Sequence, residues 1–176
     1  MRLFGAVAAV LVFLGLAGCA HTALVPAGSK VGSYDDGRVK LALGPVDDSR
    51  ISLEVSNMTA IPLRVTWGNS RISAGTGPEE KAGFDGQYKI PAGEPLLSTV
   101  NPGESVRFEV FPASRAFKDK KGRDDVYPLF KEGDKPTKAE ERAGRPVALK
   151  LVMEVDEHTM VYPLSISLKK PWYSAW

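Results

Sequence analysis

Apolar and polar residues alternate along six stretches of the chain, which is the pattern of β-strands with one buried face and one wet face. These stretches cover residues 39–43, 51–55, 63–67, 106–110, 147–155 and 160–168. Typical turn sequences separate several of them, among them Asn57-Met58-Thr59, Asn101-Pro102-Gly103-Glu104 and Asp156-Glu157-His158. No stretch of a dozen residues repeats with the 3.6-residue period of a helix. The pattern predicts an all-β fold, an antiparallel β-sandwich of immunoglobulin-like shape.

A different pattern opens the chain. Arg2 supplies one positive charge, and an uninterrupted apolar run follows from Leu3 to Gly18. As a helix this run is about 24 Å long at about 1.5 Å per residue. It is therefore shorter than a helix of roughly 20 residues, the length that spans a bilayer. The charged start, the short apolar middle and the small residues at the end are typical of a secretory signal peptide. We predict a helical signal peptide over residues 1–18; a permanent membrane anchor and a buried helix are the alternatives.

The apolar run ends in Leu16-Ala17-Gly18-Cys19, which resembles the lipobox of bacterial lipoproteins. The resemblance implies that the Cys19 thiol carries a diacylglycerol and that the chain is cut just before this residue. In that family, the absence of Asp after the cysteine, where this chain has Ala20, implies sorting to the outer membrane. We expect the domain to face the periplasm. At about 0.8 kcal/mol per buried CH2, two or three acyl chains give a stable anchor.

Small and polar residues broken by Pro26, Gly28 and Gly32 come next and predict a flexible tether, so that residues 19–36 are the lipidated cysteine and its tether. The β-sandwich domain is then expected over residues 37–176. It contains a charged insertion at about 112–145, with ten Lys or Arg and seven Asp or Glu. Insertions of this length are usually functional or disordered. The basic run 118–123 would be attracted to anionic headgroups or phosphates; a solvated loop is the alternative.

Composition narrows the possible functions. The net charge is only +2, from 23 Lys and Arg against 21 Asp and Glu, so no uniform field attracts nucleic acid. A single cysteine and two histidines exclude an intramolecular disulfide, a cysteine-based zinc cluster and a multi-histidine centre. Adjacent acids such as Asp124-Asp125 point to opposite faces of a strand, unlike a glycosidase pair, and His158 lies in a predicted turn. We therefore predict no enzyme, no cofactor and no metal.

Aromatic residues in the insertion and near the C-terminus are the candidate partner-binding residues, because aromatic side chains often anchor interfaces. They are Phe117, Tyr127, Phe130, Trp172, Tyr173 and Trp176. Packing over the end of the sandwich is the alternative for the two tryptophans of the tail. In a glycan-binding module, Trp67 and Tyr88 would be the stacking residues.

The stretch from Ile51 to Pro112 is similar to a group of bacterial β-sandwich lipoproteins of unassigned function. The shared features are the strand ending in Asn57, the strand with Trp67 and the Asn101-Pro102-Gly103 strand start. The resemblance implies a sandwich and supplies no catalytic residue. We expect a non-enzymatic envelope lipoprotein, attached to the membrane through lipid on Cys19, whose sandwich binds another envelope component. The alternatives are an accessory lipoprotein of a secretion or surface-assembly machine, and a module that binds a small ligand or glycan.

Overall fold

The computed structural model describes residues 32–45, 49–87, 95–132, 135–136 and 145–167. The strands of this part are all antiparallel, and a 3-10 turn lies at Ala113–Arg115. The strands are β1 (Ser33–Asp35), β2 (Val39–Pro45), β3 (Ile51–Asn57), β4 (Leu63–Thr66), β5 (Arg71–Ala74), β6 (Glu80–Phe84), β7 (Leu97–Val100), β8 (Ser105–Pro112), β9 (Ala116–Lys118), β10 (Asp124–Val126), β11 (Lys131–Glu132), β12 (Lys135–Pro136), β13 (Pro146–Val155) and β14 (His158–Ser167). The predicted all-β antiparallel fold is confirmed.

Ten strands form one hydrogen-bonded path that folds into two layers. The path runs β1-β2-β3-β8-β6-β5-β13-β4-β7, and β14 pairs with the other edge of β13. The first layer holds β1, β2, β3, β8 and β6, and the second holds β14, β13, β5, β4 and β7; the two join where β5 pairs with β6. One apolar core lies between the layers, as in a β-sandwich. β9 and β10 form a separate hairpin, and β11 pairs with β12.

The pairing register defines two ends of the sandwich. At the apical end lie the turns at 36–38, 101–104 and 156–157 and the loop at 58–62, since Val39 pairs with Asn57 and Val155 with His158. At the opposite end, the base, β8 ends and β13 begins. The described chain begins at the base: Gly32 has φ +76, and a Cβ there would lie 3.0 Å from Ile166 Cγ2. β14 also ends at the base, at Ser167, which pairs with Pro146.

Burial follows the alternation along most strands. In β3, the side chains of Ile51, Leu53 and Val55 are fully buried and those between them are half-buried. β4 and β5 pair with the same edge of β13 and are separated by a bulge, in which the five residues 66–70 lie opposite only two residues of β13. Inside the bulge, the buried Ser70 hydroxyl accepts the Val152 N–H at 3.0 Å. A side chain thus replaces the hydrogen bond that the bulge removes from the sheet.

The predicted boundary of the tether at Asp36 is wrong. Residues Ser33–Asp35 form β1, and Tyr34 is buried with its ring 5.0 Å from the ring of Tyr162, in an edge-to-face contact between the two layers. A strand of three residues with one inward side chain shows no repeated alternation, so the sequence pattern did not predict β1. Residues 1–31, with the predicted signal peptide, lie outside the described residues. None of the described segments forms a helix with the length and hydropathy of a membrane span.

Alkaline pH should destabilise the protein through Tyr34. Burial, and then hydrogen bonding to Asp36, raise the pKa of Tyr34 from 10.0 to about 12. A raised folded-state pKa means that the folded protein keeps a proton that the unfolded chain releases, so this contribution is complete below pH 10 and is lost as the pH rises towards 12. We expect Tyr34→Phe to reduce the alkaline decline in the free energy of unfolding by up to about 1.4 kcal/mol per pH unit. Urea unfolding at a series of pH values measures the slope, and identical slopes in both proteins would contradict the assignment.

Candidate functional site at the apical end

The loop between β3 and β4, residues 58–62, displays apolar side chains to solvent; we call it the apical loop. Its sequence is Met-Thr-Ala-Ile-Pro, in which Thr59 is the only polar residue. Met58 is 57% exposed and Ile61 is 38% exposed. The described residues include four exposed large hydrophobic side chains, and two of them share this loop. Exposed apolar residues scattered singly need no explanation, and the presence of two on one five-residue loop makes this loop the candidate interaction site.

The buried side chain of Asn57 holds this loop from inside. Its Nδ2 donates to the carbonyl oxygens of Ile61 and Val100, at 2.8 and 2.9 Å. Its Oδ1 accepts the backbone N–H of Thr59 at 2.9 Å and the hydroxyl of Thr59 at 2.7 Å. One amide therefore satisfies three polar groups of the loop, fixing its backbone, and also the Val100 carbonyl of the neighbouring strand β7.

Backbone hydrogen bonds join the apical loop and its flank to two neighbouring turns. The Met58 N–H donates to the Arg38 carbonyl at 2.8 Å, in the turn between β1 and β2. The Gly103 N–H donates to the Asn57 carbonyl at 2.8 Å, in the turn between β7 and β8. The three segments form one connected surface, so the side chains of Met58 and Ile61 are carried on a backbone that is ordered before any partner arrives.

The two arginines near the apical loop are both paired with carboxylates. Arg38 lies 3.6 Å from Asp156, and Arg64 lies 3.6 Å from Glu154. Partial burial acts to raise the pKa of Asp36, but hydrogen bonds from the Val39 and Arg38 N–H groups outweigh it, and its pKa is lowered. Asp36 is therefore ionised at neutral pH and stabilises its own turn. The exposed apolar side chains of the apical loop are thus accompanied by two arginines that are each paired with a carboxylate.

No group of three or more His, Cys, Asp or Glu side chains that could hold a metal ion occurs among the described residues. His158 is exposed beside the β13–β14 turn, and its Nδ1 lies 2.6 Å from the Asp156 carbonyl oxygen. The apical surface can bury apolar area and exchange hydrogen bonds with a partner.

The predicted residues of the insertion divide between surface and core. Phe117 and Tyr127 stack on the β9–β10 hairpin, with ring centroids 4.2 Å apart and planes inclined by 22°. Tyr127 is 44% exposed, whereas Phe130 is only 4% exposed and belongs to the core. The prediction that Phe130 binds a partner is therefore wrong, because the chain turns inward after β10. Trp172, Tyr173 and Trp176 lie outside the described residues.

Arg115 fastens the hairpin to the sandwich. Its guanidinium donates to the carbonyl oxygen of Pro128 at 2.7 Å, to that of Leu129, and to Glu80 Oε1 at 2.8 Å. Burial acts to raise the pKa of Glu80, but hydrogen bonds from Ser114 and Arg115 outweigh it, so its pKa is lowered and the pair is ionised. The described part of the charged insertion is thus a hairpin attached to the base of the sandwich. After the hairpin the chain turns inward and places Phe130 in the core.

Trp67 is not a stacking platform for a sugar. It is fully buried, its indole N–H donates to Ser98 Oγ at 2.8 Å, and its ring stacks on Phe84 with centroids 4.7 Å apart. The expectation for Trp67 in a glycan-binding module is therefore wrong, because no face of the ring is open. Tyr88, the other expected stacking residue, lies outside the described residues.

A shallow groove of about 300 Å³ crosses the outer side of β1, β2 and β3. Lys40 and Asp35, which line the groove on β2 and β1, form an ion pair, with Lys40 Nζ 3.2 Å from Asp35 Oδ2. The Gly37 N–H, and then Lys40, lower the pKa of Asp35. A groove at the lower limit of ligand-site size, with its charges already paired, is a weaker candidate than the apical loop.

Sequence reasoning identified Asn57-Met58-Thr59 only as a turn and missed the apical loop as a surface. One signal was present. Four of the five residues at 58–62 are apolar, although turns and loops favour polar residues, glycine and proline. An apolar loop between two confirmed strands was the pattern that could have revealed the site.

Comparisons with other proteins leave the family open. No family model and no curated protein matches the chain. A crystal structure of a protein from Archaeoglobus fulgidus is similar over 78% of this chain and 98% of that chain, with 15% sequence identity and a TM-score of 0.27. A TM-score of this size carries no argument about fold or function, so the proposal below rests on the residues of this chain.

Proposed function

We propose that this protein is a non-enzymatic envelope lipoprotein that is anchored in the outer membrane through lipid on Cys19 and binds another envelope protein through its apical loop. One observation carries the binding role: Met58 and Ile61 are exposed on a loop whose backbone is fixed by the buried Asn57 amide. Complete burial of an exposed apolar side chain contributes about 1.5–3 kcal/mol, and these two, already partly buried, would each contribute about half of that. Because the loop is already ordered, little of that gain is offset by ordering it on binding.

The chemistry of the apical surface favours a protein as its partner. Protein interfaces typically have an apolar centre depleted of charge and a polar rim, and here Arg38 and Arg64 in the rim are each paired with a carboxylate. A nucleic acid would require unpaired cations. A loop of five residues is small beside the 20–30 residues that each partner of a stable interface usually supplies, so we infer that a partner protein with an apolar cleft receives it.

The position of the apical loop agrees with anchoring from the N-terminus. The described chain begins at Gly32, at the base, and the apical loop lies at the other end of the strands. A domain tethered from its base presents the opposite end to partners away from the membrane. If the partner belongs to a secretion or surface-assembly machine, the same contact makes this chain its accessory lipoprotein.

Site-specific photocrosslinking in the bacterium tests the binding surface. A photoreactive amino acid replaces Met58 or Ile61 in the full-length chain, and Leu97, an exposed apolar residue of β7 outside the loop, is the matched control position. We expect one protein adduct from positions 58 and 61 that is absent from position 97. Equal adducts from all three positions, or none from the loop, would contradict the proposal.

The anchor requires a separate measurement. Metabolic labelling with an alkyne fatty acid should mark the wild-type chain and leave Cys19→Ser unlabelled. The unlabelled variant should also leave the membrane fraction after cell disruption. Label that persists in Cys19→Ser, or an unlabelled wild type, would contradict lipidation at this residue. The crosslinking experiment tests the binding surface independently of this result.

A further inference from the structure

The two ends of the sandwich differ in their available charge. Among the described side chains at the apical end, six carboxylates face three cations. The carboxylates are Asp35, Asp36, Glu104, Glu154, Asp156 and Glu157, and the cations are Arg38, Lys40 and Arg64. The base carries the basic β9–β10 hairpin instead. The domain is therefore more negative at the end away from the N-terminal segment.

The hairpin presents two lysines that form no ion pair with a carboxylate in the described part of the chain. Asp119 pairs with Arg123 at 2.7 Å, Asp124 with Lys118 at 2.6 Å and Asp125 with Arg50 at 3.7 Å. All three carboxylates of the hairpin are thus engaged. Lys120 and Lys121 are exposed in its turn, and among the described residues no carboxylate forms an ion pair with either. The Asp119 side chain accepts the backbone N–H groups of Lys121 and Arg123, which fixes the turn.

The hairpin lies at the end from which the N-terminal segment extends. It follows the end of β8. Arg115, just before β9, pairs with Glu80, the first residue of β6, and Asp125 in β10 pairs with Arg50, the residue before β3. With β1 beginning at Ser33, a tether from Ala20 to Val31 has twelve residues. As a random coil it would reach about 17–21 Å, which keeps the base close to an anchor at Cys19.

We propose that Lys120 and Lys121 contact the phosphates of anionic lipid headgroups, so that the base rests on the membrane and the apical loop points away from it. This inference depends on the lipid anchor of the proposed function. Each lysine near an anionic surface shifts the equilibrium towards contact about fivefold. The exposed Tyr127 ring, stacked on Phe117, lies at the end of the hairpin opposite the turn and is of the type that occupies the interfacial region of a bilayer. The acidic apical end is repelled by the same surface.

Lysine footprinting of the full lipidated protein tests this orientation. The protein is reconstituted into vesicles of phosphatidylcholine alone, or of phosphatidylcholine mixed with phosphatidylglycerol, and is acetylated briefly. Mass spectrometry then compares Lys120 and Lys121 with Lys40, an exposed apical lysine that serves as the internal control. In the anionic vesicles we expect acetylation of the two hairpin lysines to fall about fivefold or more, with Lys40 unchanged. High salt should abolish the protection, because it screens the attraction.

Two results would overturn the inference: equal acetylation of Lys120 and Lys121 in both kinds of vesicle, or equal protection of Lys40. Failure of the anchor is recognised separately, because a chain without lipid would not float with vesicles of phosphatidylcholine alone. A Lys120→Glu/Lys121→Glu variant keeps the three ion pairs of the hairpin. In that variant Lys118 should be acetylated equally in both kinds of vesicle, and protection that persists would assign the contact to other residues.

Discussion

Replacing Trp67 by alanine should lower the free energy of unfolding by about 3–5 kcal/mol, the range for deleting a large buried aromatic side chain. Trp67 is fully buried at the point where the two layers meet. Its ring stacks on Phe84 and meets the Phe108 ring edge-on, with centroids 5.1 Å apart. Its removal leaves a cavity that two other rings border, and aromatic rings cannot collapse into it without leaving their own contacts. Urea denaturation followed by circular dichroism measures the loss.

Trp67→Phe separates packing from hydrogen bonding at the same position. The smaller ring keeps contact with Phe84, whereas Ser98 Oγ loses the indole N–H that it accepts at 2.8 Å. We expect this variant to lose about 1–3 kcal/mol, less than the alanine variant. Tyr127→Ala, on the exposed side of the hairpin, is the comparison for an aromatic residue outside the core. If Trp67→Ala lowered the free energy of unfolding by less than about 1 kcal/mol, the loss would be too small for a core aromatic residue. That result would contradict the burial of Trp67 and favour a role as a stacking surface.

The alternation of apolar residues predicted the parts of the fold in which a strand has one face in the core and one in water. β3, β8 and β13 pair with neighbours on both sides, and their inward residues were identified because long strands repeat the pattern several times. Most short strands, though not β4, escaped detection. β6 buries Ala82, Gly83 and Phe84 in succession, so it shows no alternation. Gly83 is required there because a Cβ would lie 2.9 Å from Phe111 Cε2.

The candidate site was harder to predict, because exposure of a loop residue depends on contacts distant in sequence. Phe130 and Tyr127 look equivalent in the sequence, yet one lies in the core and the other on the surface. The difference depends on Arg115, which holds the Pro128 and Leu129 carbonyls. The role of Asn57 likewise depends on Val100, 43 residues further along the chain. Local patterns contain no information about such partners.

Replacing Asn57 by alanine should lower the free energy of unfolding by about 2–4 kcal/mol. The substitution removes the donor for two carbonyl oxygens and the acceptor for the Thr59 N–H and hydroxyl. A buried polar group left without its partner costs about 1–3 kcal/mol, although groups near the loop surface can recover hydrogen bonds to water. Asn101→Ala, with an exposed side chain in the adjoining turn, should change stability by less than about 0.5 kcal/mol.

Asn57→Asp tests the hydrogen-bond pattern with almost no change in shape. Its carboxylate still accepts from Thr59 but faces the two carbonyl oxygens that Nδ2 contacts in the wild type, so the charged form is disfavoured and the pKa of this Asp should be raised in the folded state. Its stability relative to the wild type should therefore be higher near pH 4 than at pH 7, because a protonated carboxyl can donate. A pH-independent difference would contradict the donor role of Asn57.

The same substitution connects stability to the proposed site. If binding depends on a loop that is ordered in advance, Asn57→Ala should reduce adduct formation from a photoreactive residue at position 58, even at temperatures where the variant remains folded. The loosened loop must then be ordered on binding, and affinity falls by that cost. Asn101→Ala should crosslink like the wild type. Undiminished crosslinking in a folded Asn57→Ala protein would mean that Met58 and Ile61 bind through their apolar surface alone, without help from the fixed backbone.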